Sequence, residues 1–187
     1  MKFLKLLISV KTIIAFIGIT LSTQAFSQET GEKKFEPVET IKDWRVFVAG
    51  NPKECWAMSE PKEKINTRDG QIVNVKRGDV QLFINFLPSA RAHGQLSFTG
   101  GYPFAEGSKV SLKVMRNSGD GINYALFTQD EWAWAPKDED DKKIINAMKK
   151  GAKAVLTAKS SRGTKTQDTF SLMGFTAAIA DAEKRCE

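Results

Sequence analysis

The chain has 187 residues, with 28 Lys and Arg against 22 Asp and Glu, one histidine and two cysteines. That length suits one domain with a real core, and a single histidine excludes multi-histidine metal sites. The basic excess is scattered among acids in runs such as "EPKEKINTRDG" and "APKDEDDKK" rather than clustered with aromatics, which reads as solvated surface and excludes a nucleic-acid partner.

The first segment, "MKFLKLLISVKTIIAFIGITLSTQAFSQ", carries Lys2 and Lys5, then an apolar run from Thr12 to Leu21, then small residues. This is the pattern of a secretory signal peptide, residues 1–27, with cleavage expected after Ser27. The apolar run is about ten residues where a bilayer span needs about twenty, so no transmembrane segment is expected after cleavage. Three lysines leave with the signal and no acid does, so the formal charge of +6 falls to +3 in the mature chain. Residues 28–42, "QETGEKKFEPVETIK", are polar and read as a disordered or extended lead-in, and 43–187 as a single domain.

The body reads as strands: "DWRVFVA", with Trp44, Val46 and Val48 on one face, then "ECWAMS", "QIVNVK", "DVQLFINFLP", "GQLSFTGG", "SKVSLKVM", "INYALFT" and "EWAWA". They are rich in β-branched and aromatic residues and separated by turn chemistry, which predicts a mainly β fold, an antiparallel immunoglobulin-like β-sandwich. Asn117 to Gly121 is expected to be a hairpin loop, and "KRGD" a second one. Trp132 and Trp134 alternate and share a face, expected to pack under the following helix.

Two short helices are expected. In "PKDEDDKKIINAMKKG", Pro136 and four acids precede Ile144, Ile145 and Met148, and lysines with Gly151 end the segment, matching helix start, dipole, apolar face and stop. After the strands "KAVLTAKS" and "TQDTFSL", the C-terminal "GFTAAIADAEKRC" places Phe175, Ala178, Ile179, Ala182 and Cys186 on one stripe. Cys186 therefore faces inward. In an exported protein with only one other cysteine, it is expected to pair with Cys55, closing a loop of ~130 residues that contributes about 4 kcal/mol by chain entropy. The other reading leaves each thiol as a small buried apolar group.

The stretches "DWRVFVAGNPKECWAMSEPKE", "GQLSFTGGYPF", "EWAWA" and "TKTQDTFSLMGFTAAIADAEKRC" together resemble the invasion-associated locus B family of Gram-negative, mainly alphaproteobacterial, envelope proteins. The resemblance runs from Asp43 onward and rests on aromatic, glycine and cysteine positions. It implies a β-sandwich, a location in the periplasm or outer envelope or outside the cell, and a possible role in host-cell invasion. It implies no enzymatic mechanism. Many similar members carry a cysteine four residues after the tryptophan of "DW", where this chain has Val48, so the resemblance too leaves Cys186 as the partner of Cys55.

No catalytic, cofactor or metal residues emerge. His93, in "SARAHGQLSF", reads as solvated surface. No serine sits in a GxSxG elbow, the acids of "DEDD" lack the glycine and distal Glu of a calcium loop, and no glycine run leads from a strand into a helix. Gly100, Gly101, Tyr102, Pro103 and Phe104 form a candidate interaction loop, read either as a rigid apolar knob for a partner or, preferably, as a buried corner of the sandwich. Arg77, Gly78 and Asp79 spell RGD, which the need for a glycine-bearing turn explains. The function expected is that of an exported non-catalytic envelope or secreted protein with an unknown protein or envelope partner; the alternative is a periplasmic enzyme or small-ligand binder. An enzyme or binder should show a concave pocket with convergent polar groups and a shifted titratable residue, an interaction protein a flat exposed apolar patch.

Overall fold

The computed structural model describes residues 35–90 and 92–187. The signal peptide and the start of the lead-in, expected over 1–34, lie outside the described residues.

Strict alternation builds the strands. In "QLFINFL", Leu82, Ile84 and Phe86 are buried while Gln81, Phe83, Asn85 and Leu87 face outward. The strands are β1 (Glu39–Ile41), β2 (Trp44–Ala49), β3 (Glu54–Ser59), β4 (Glu63–Arg68), β5 (Gln71–Ile72), β6 (Gln81–Leu87), β7 (Ala92–Thr99), β8 (Lys109–Met115), β9 (Gly121–Gln129), β10 (Trp132–Trp134), β11 (Lys153–Lys159) and β12 (Lys165–Ser171), and the same period recurs cleanly in β8, β11 and β12. The strands form one antiparallel ladder in the order β1-β2-β3-β6-β7-β10-β9-β8-β11-β12-β4-β5. That ladder folds over itself: Phe98 on β7 meets Phe170 on β12 edge to face at 6.1 Å, and Trp44 on β2 donates its indole N–H to the Ser171 carbonyl at 3.0 Å. The result is the expected sandwich, with its two layers continuous through β10 and β9.

Between the layers lie Trp44, Leu82, Ile84, Leu96, Phe98, Leu112, Leu126, Leu156 and Phe170, all fully buried. Helices α1 (Asp138–Met148) and α2 (Phe175–Cys186) cover the end of the sandwich where β7 begins, and Ile145 and Ile179 line one small depression there with Phe86. The apolar stripe read from the sequence is the buried stripe of α2: Phe175, Ala178, Ile179, Ala182 and Cys186. Phe175 packs on Trp44 at 4.9 Å.

From Phe35 onward the lead-in is extended: the Phe35 ring packs edge to face on Trp56, and β1 pairs with β2. Two local readings change. The "QIVNVK" strand stops at Ile72, and residues 73–80 cross to the other layer, so "KRGD" is no hairpin turn. Instead the Gly78 N–H donates to the Gly101 carbonyl at 2.9 Å, an approach so close that a Cβ on Gly101 would lie 2.5 Å from the Gly78 oxygen. Second, β10 turns only Ala133 inward, so Trp132 and Trp134 face outward rather than packing under α1.

Candidate functional site

Two surfaces stand out, one aromatic and one concave. The aromatic one is the outer side of the layer that carries β6, β7, β10 and β9. Pairing registers align Phe83 with Ser97, Ser97 with Trp134 and Trp134 with Phe127, one row across four strands, with Thr99 and Trp132 in the adjacent row. Small residues on β7 leave room between the flanking rings. Phe83 meets Trp132 at 5.7 Å, Trp132 meets Trp134 at 6.4 Å and Trp134 meets Phe127 at 5.5 Å, a continuous aromatic ladder. Trp132 remains 37% exposed and Phe127 43%. Soluble surfaces seldom leave several contiguous aromatic rings in water.

The concave surface is a cleft of about 490 Å³ beside the loop that follows β7. Its buried wall is built by Arg77, whose guanidinium donates to both carboxylate oxygens of Asp168 at 2.8 and 2.6 Å. The pair is withdrawn from solvent, with side chains 6% and 0% exposed. Burial pushes the Asp168 carboxyl above the usual carboxylate range, against the pull of the Arg77 hydrogen bonds and charge. The Arg77 guanidinium also lies 5.0 Å from the centre of the Tyr102 ring, and the Tyr102 hydroxyl meets that of Thr166 at 2.5 Å. Burial raises the Tyr102 phenol in turn.

The loop Gly100, Gly101, Tyr102, Pro103 and Phe104 thus closes the end of the sandwich where β7 finishes. Phe104 is buried against Phe98 and Tyr102, the Gly100 carbonyl accepts from Arg77, and Pro103 is exposed on the cleft. Arg77 of the RGD tripeptide is consumed in the Asp168 pair. Cys55 is bonded to Cys186, Cα to Cα 5.7 Å, tying α2 to β3. His93 is exposed at the start of β7 and lines the small depression beside Phe86 and Ile145, not the cleft. Among the described residues no group of three or more His, Cys, Asp or Glu is placed to hold a metal, and no helix is long and apolar enough to cross a membrane.

One acid of α1 does more than favour the helix dipole. β10 ends at Trp134, opposite Ser97, so the next position on β7 has no β10 partner. Asp141 supplies one, accepting the Leu96 N–H at 2.8 Å while 5% exposed. Burial raises its carboxyl to about 6, with the neighbouring charges of Asp138 and Asp140 adding to the rise and the Leu96 hydrogen bond opposing it.

The Arg77–Asp168 pair and Asp141 were not anticipated as buried groups, yet the patterns carry them. Asp168 alternates with Thr166 and Phe170 on the inward face of β12. Asp141 stands three and seven residues before Ile144 and Met148, on the same helical face.

Comparison with known proteins agrees with this architecture. A crystal structure of invasion associated protein B from Bartonella henselae superposes with a TM-score of 0.52 at 16% identity, covering 79% of this chain and 96% of that one. No curated protein matches the sequence. The family model described as invasion associated locus B (IalB) protein matches residues 44–183, from the first residue of β2 into α2, and the chain belongs to that family.

Proposed function

We propose that this is an exported, non-catalytic envelope protein that works by docking a protein of the cell envelope or of a host surface onto its aromatic ladder. The observation that carries this reading is the aromatic ladder of Phe83, Trp132, Trp134 and Phe127, outward-facing and part-exposed on one face of the sheet. Tryptophan is enriched among the few residues that carry most of the binding energy in protein interfaces, because a large rigid area is buried at little entropic cost. Export is supported by the N-terminal sequence pattern and by a disulfide, which persists in oxidising compartments. Family membership supports a role in the envelope or in invasion.

The test is site-specific photocrosslinking in the producing bacterium. A photoreactive phenylalanine analogue at Trp132 is expected to give one discrete adduct in the periplasmic or outer-membrane fraction, on a chain whose N-terminus lies near Gln28. Phe127→Lys in the same chain should abolish the adduct, and the analogue at Gln167, exposed on β12, should give none. Equal adducts from both positions, or an adduct indifferent to Phe127→Lys, would remove the docking role.

A further inference from the structure

The cleft beside Tyr102 has a charge pattern that the fold does not use. Four cations line it, Arg68, Lys76, Arg77 and Arg162, against one acid, Glu131. Arg77 is neutralised by Asp168, which leaves three cations from three separate segments facing one carboxylate. Arg68 spends one N–H of its guanidinium on the Thr164 hydroxyl at 2.8 Å, and its other donors remain for a ligand. Like charges gathered on one concave wall repel, and an anion bound among them offsets that cost.

The floor is not merely basic. Ser160, Thr164 and Thr166 bring hydroxyls to it, and all three are buried, held by the Ser160 hydroxyl accepting the Thr164 N–H at 3.1 Å and by the contact of Thr166 with Tyr102. Hydroxyls fixed in the turn between β11 and β12 and on β12 itself, with an aromatic ring and a proline beside them, suit a polyhydroxylated ring. At about 490 Å³ the cleft falls within the range of small-ligand pockets, about 300–1,000 Å³, and is larger than a bare oxyanion requires. Guanidinium groups match the paired oxygens of a phosphate, which directs the anionic end of the ligand to Arg68 and Arg162.

We propose that this cleft binds a phosphorylated sugar, either free or displayed as the headgroup of a glycolipid. The site is separate from the aromatic ladder and stands or falls independently of the docking role.

Amide NMR titration of the oxidised protein with glucosamine 1-phosphate is expected to shift residues 100–103 and 160–166, with glucosamine giving no shift and inorganic phosphate binding at least about tenfold more weakly. Arg162→Ala and Arg68→Ala should each weaken binding by about tenfold or more, with melting temperatures recorded to show that the fold persists. Arg162 is exposed and makes no contribution to the core, so its variant keeps the test valid if Arg68→Ala unfolds. Phosphatidylcholine vesicles carrying monophosphoryl lipid A distinguish the two sources: capture tighter than the soluble sugar phosphate, and lost in Arg162→Ala, identifies the headgroup, while no gain over the soluble ligand identifies the free sugar. The proposal is overturned if glucosamine and its phosphate shift the same amides equally, if inorganic phosphate binds as tightly as the sugar phosphate, if no amide around the cleft moves, or if vesicle capture survives both substitutions.

Discussion

Arg77 and Asp168 meet through two hydrogen bonds between the layers of the sandwich, although Arg77 belongs to an irregular crossing segment and Asp168 to the middle of β12. The pair therefore joins the residues leading into β6 to the opposite layer at a point where both charges have left water. Such a pair gains little over apolar residues that fill the same space, but either half alone is a buried charge.

Arg77→Met is expected to cost about 3–5 kcal/mol, measured by urea unfolding near neutral pH, because Asp168 is left without its counter-charge. The loss should be smaller at pH 5 than at pH 8, since an orphaned carboxyl takes up a proton more readily than it bears its charge in the interior. The double variant Arg77→Met, Asp168→Leu should recover much of the loss. Equal destabilisation by the single and double variants would mean that the crossing segment is held by something other than this pair.

Asp141 gives the fold a pH dependence of the opposite sense to that of an exposed carboxylate pair. Its carboxyl sits at about 6 in the folded chain against 3.8 for the ordinary group, so the folded state holds the proton more tightly. Its contribution is fully present below the lower value and is lost as pH rises through the upper one, up to about 3 kcal/mol across that window. Asp141→Asn keeps an oxygen for the Leu96 N–H and removes the ionisation, so the variant should match or exceed the parent at pH 7 and lack this slope between pH 4 and 6. Asp141→Ala leaves the N–H bare and should cost about 1–3 kcal/mol. Thermal unfolding of the three proteins across that pH range decides the matter.

Reduction of the Cys55–Cys186 bond should lower stability by about 4–5 kcal/mol on the chain-entropy account for a separation of 131 residues. Cys55→Ser and Cys186→Ser should each cost nearly as much as the double variant, because each removes the same crosslink. Thiol labelling of the unfolded, unreduced protein should find neither cysteine reactive. Recovery of two thiols would make Cys55 a candidate reactive group instead.

The sequence was most legible where one pattern had one physical outcome. Period-two alternation gave the strands, and a single stripe gave the inward face of α2 together with Cys186. It was least legible where a charged residue sat in phase with apolar ones. Asp168 between Thr166 and Phe170, and Asp141 ahead of Ile144, follow the pattern of the core, but charge alone reads as surface until the partner is known. The partners come from far along the chain: Arg77 lies 91 residues from Asp168, and Leu96 lies 45 from Asp141. The outward face of Trp132 was hidden for the converse reason, since an alternating tryptophan pair satisfies either side of a sheet and only the inward Ala133 decides which.

Every strand from β4 to β12, and α1 with them, lies between Cys55 and Cys186. A protease that cuts one of the exposed turns in that span, such as Asn117 to Gly121, therefore makes two pieces that stay covalently joined and hydrogen-bonded along β8 and β9. The nicked molecule keeps its parts, migrates as a single species on a non-reducing gel, and separates only when a reductant is added.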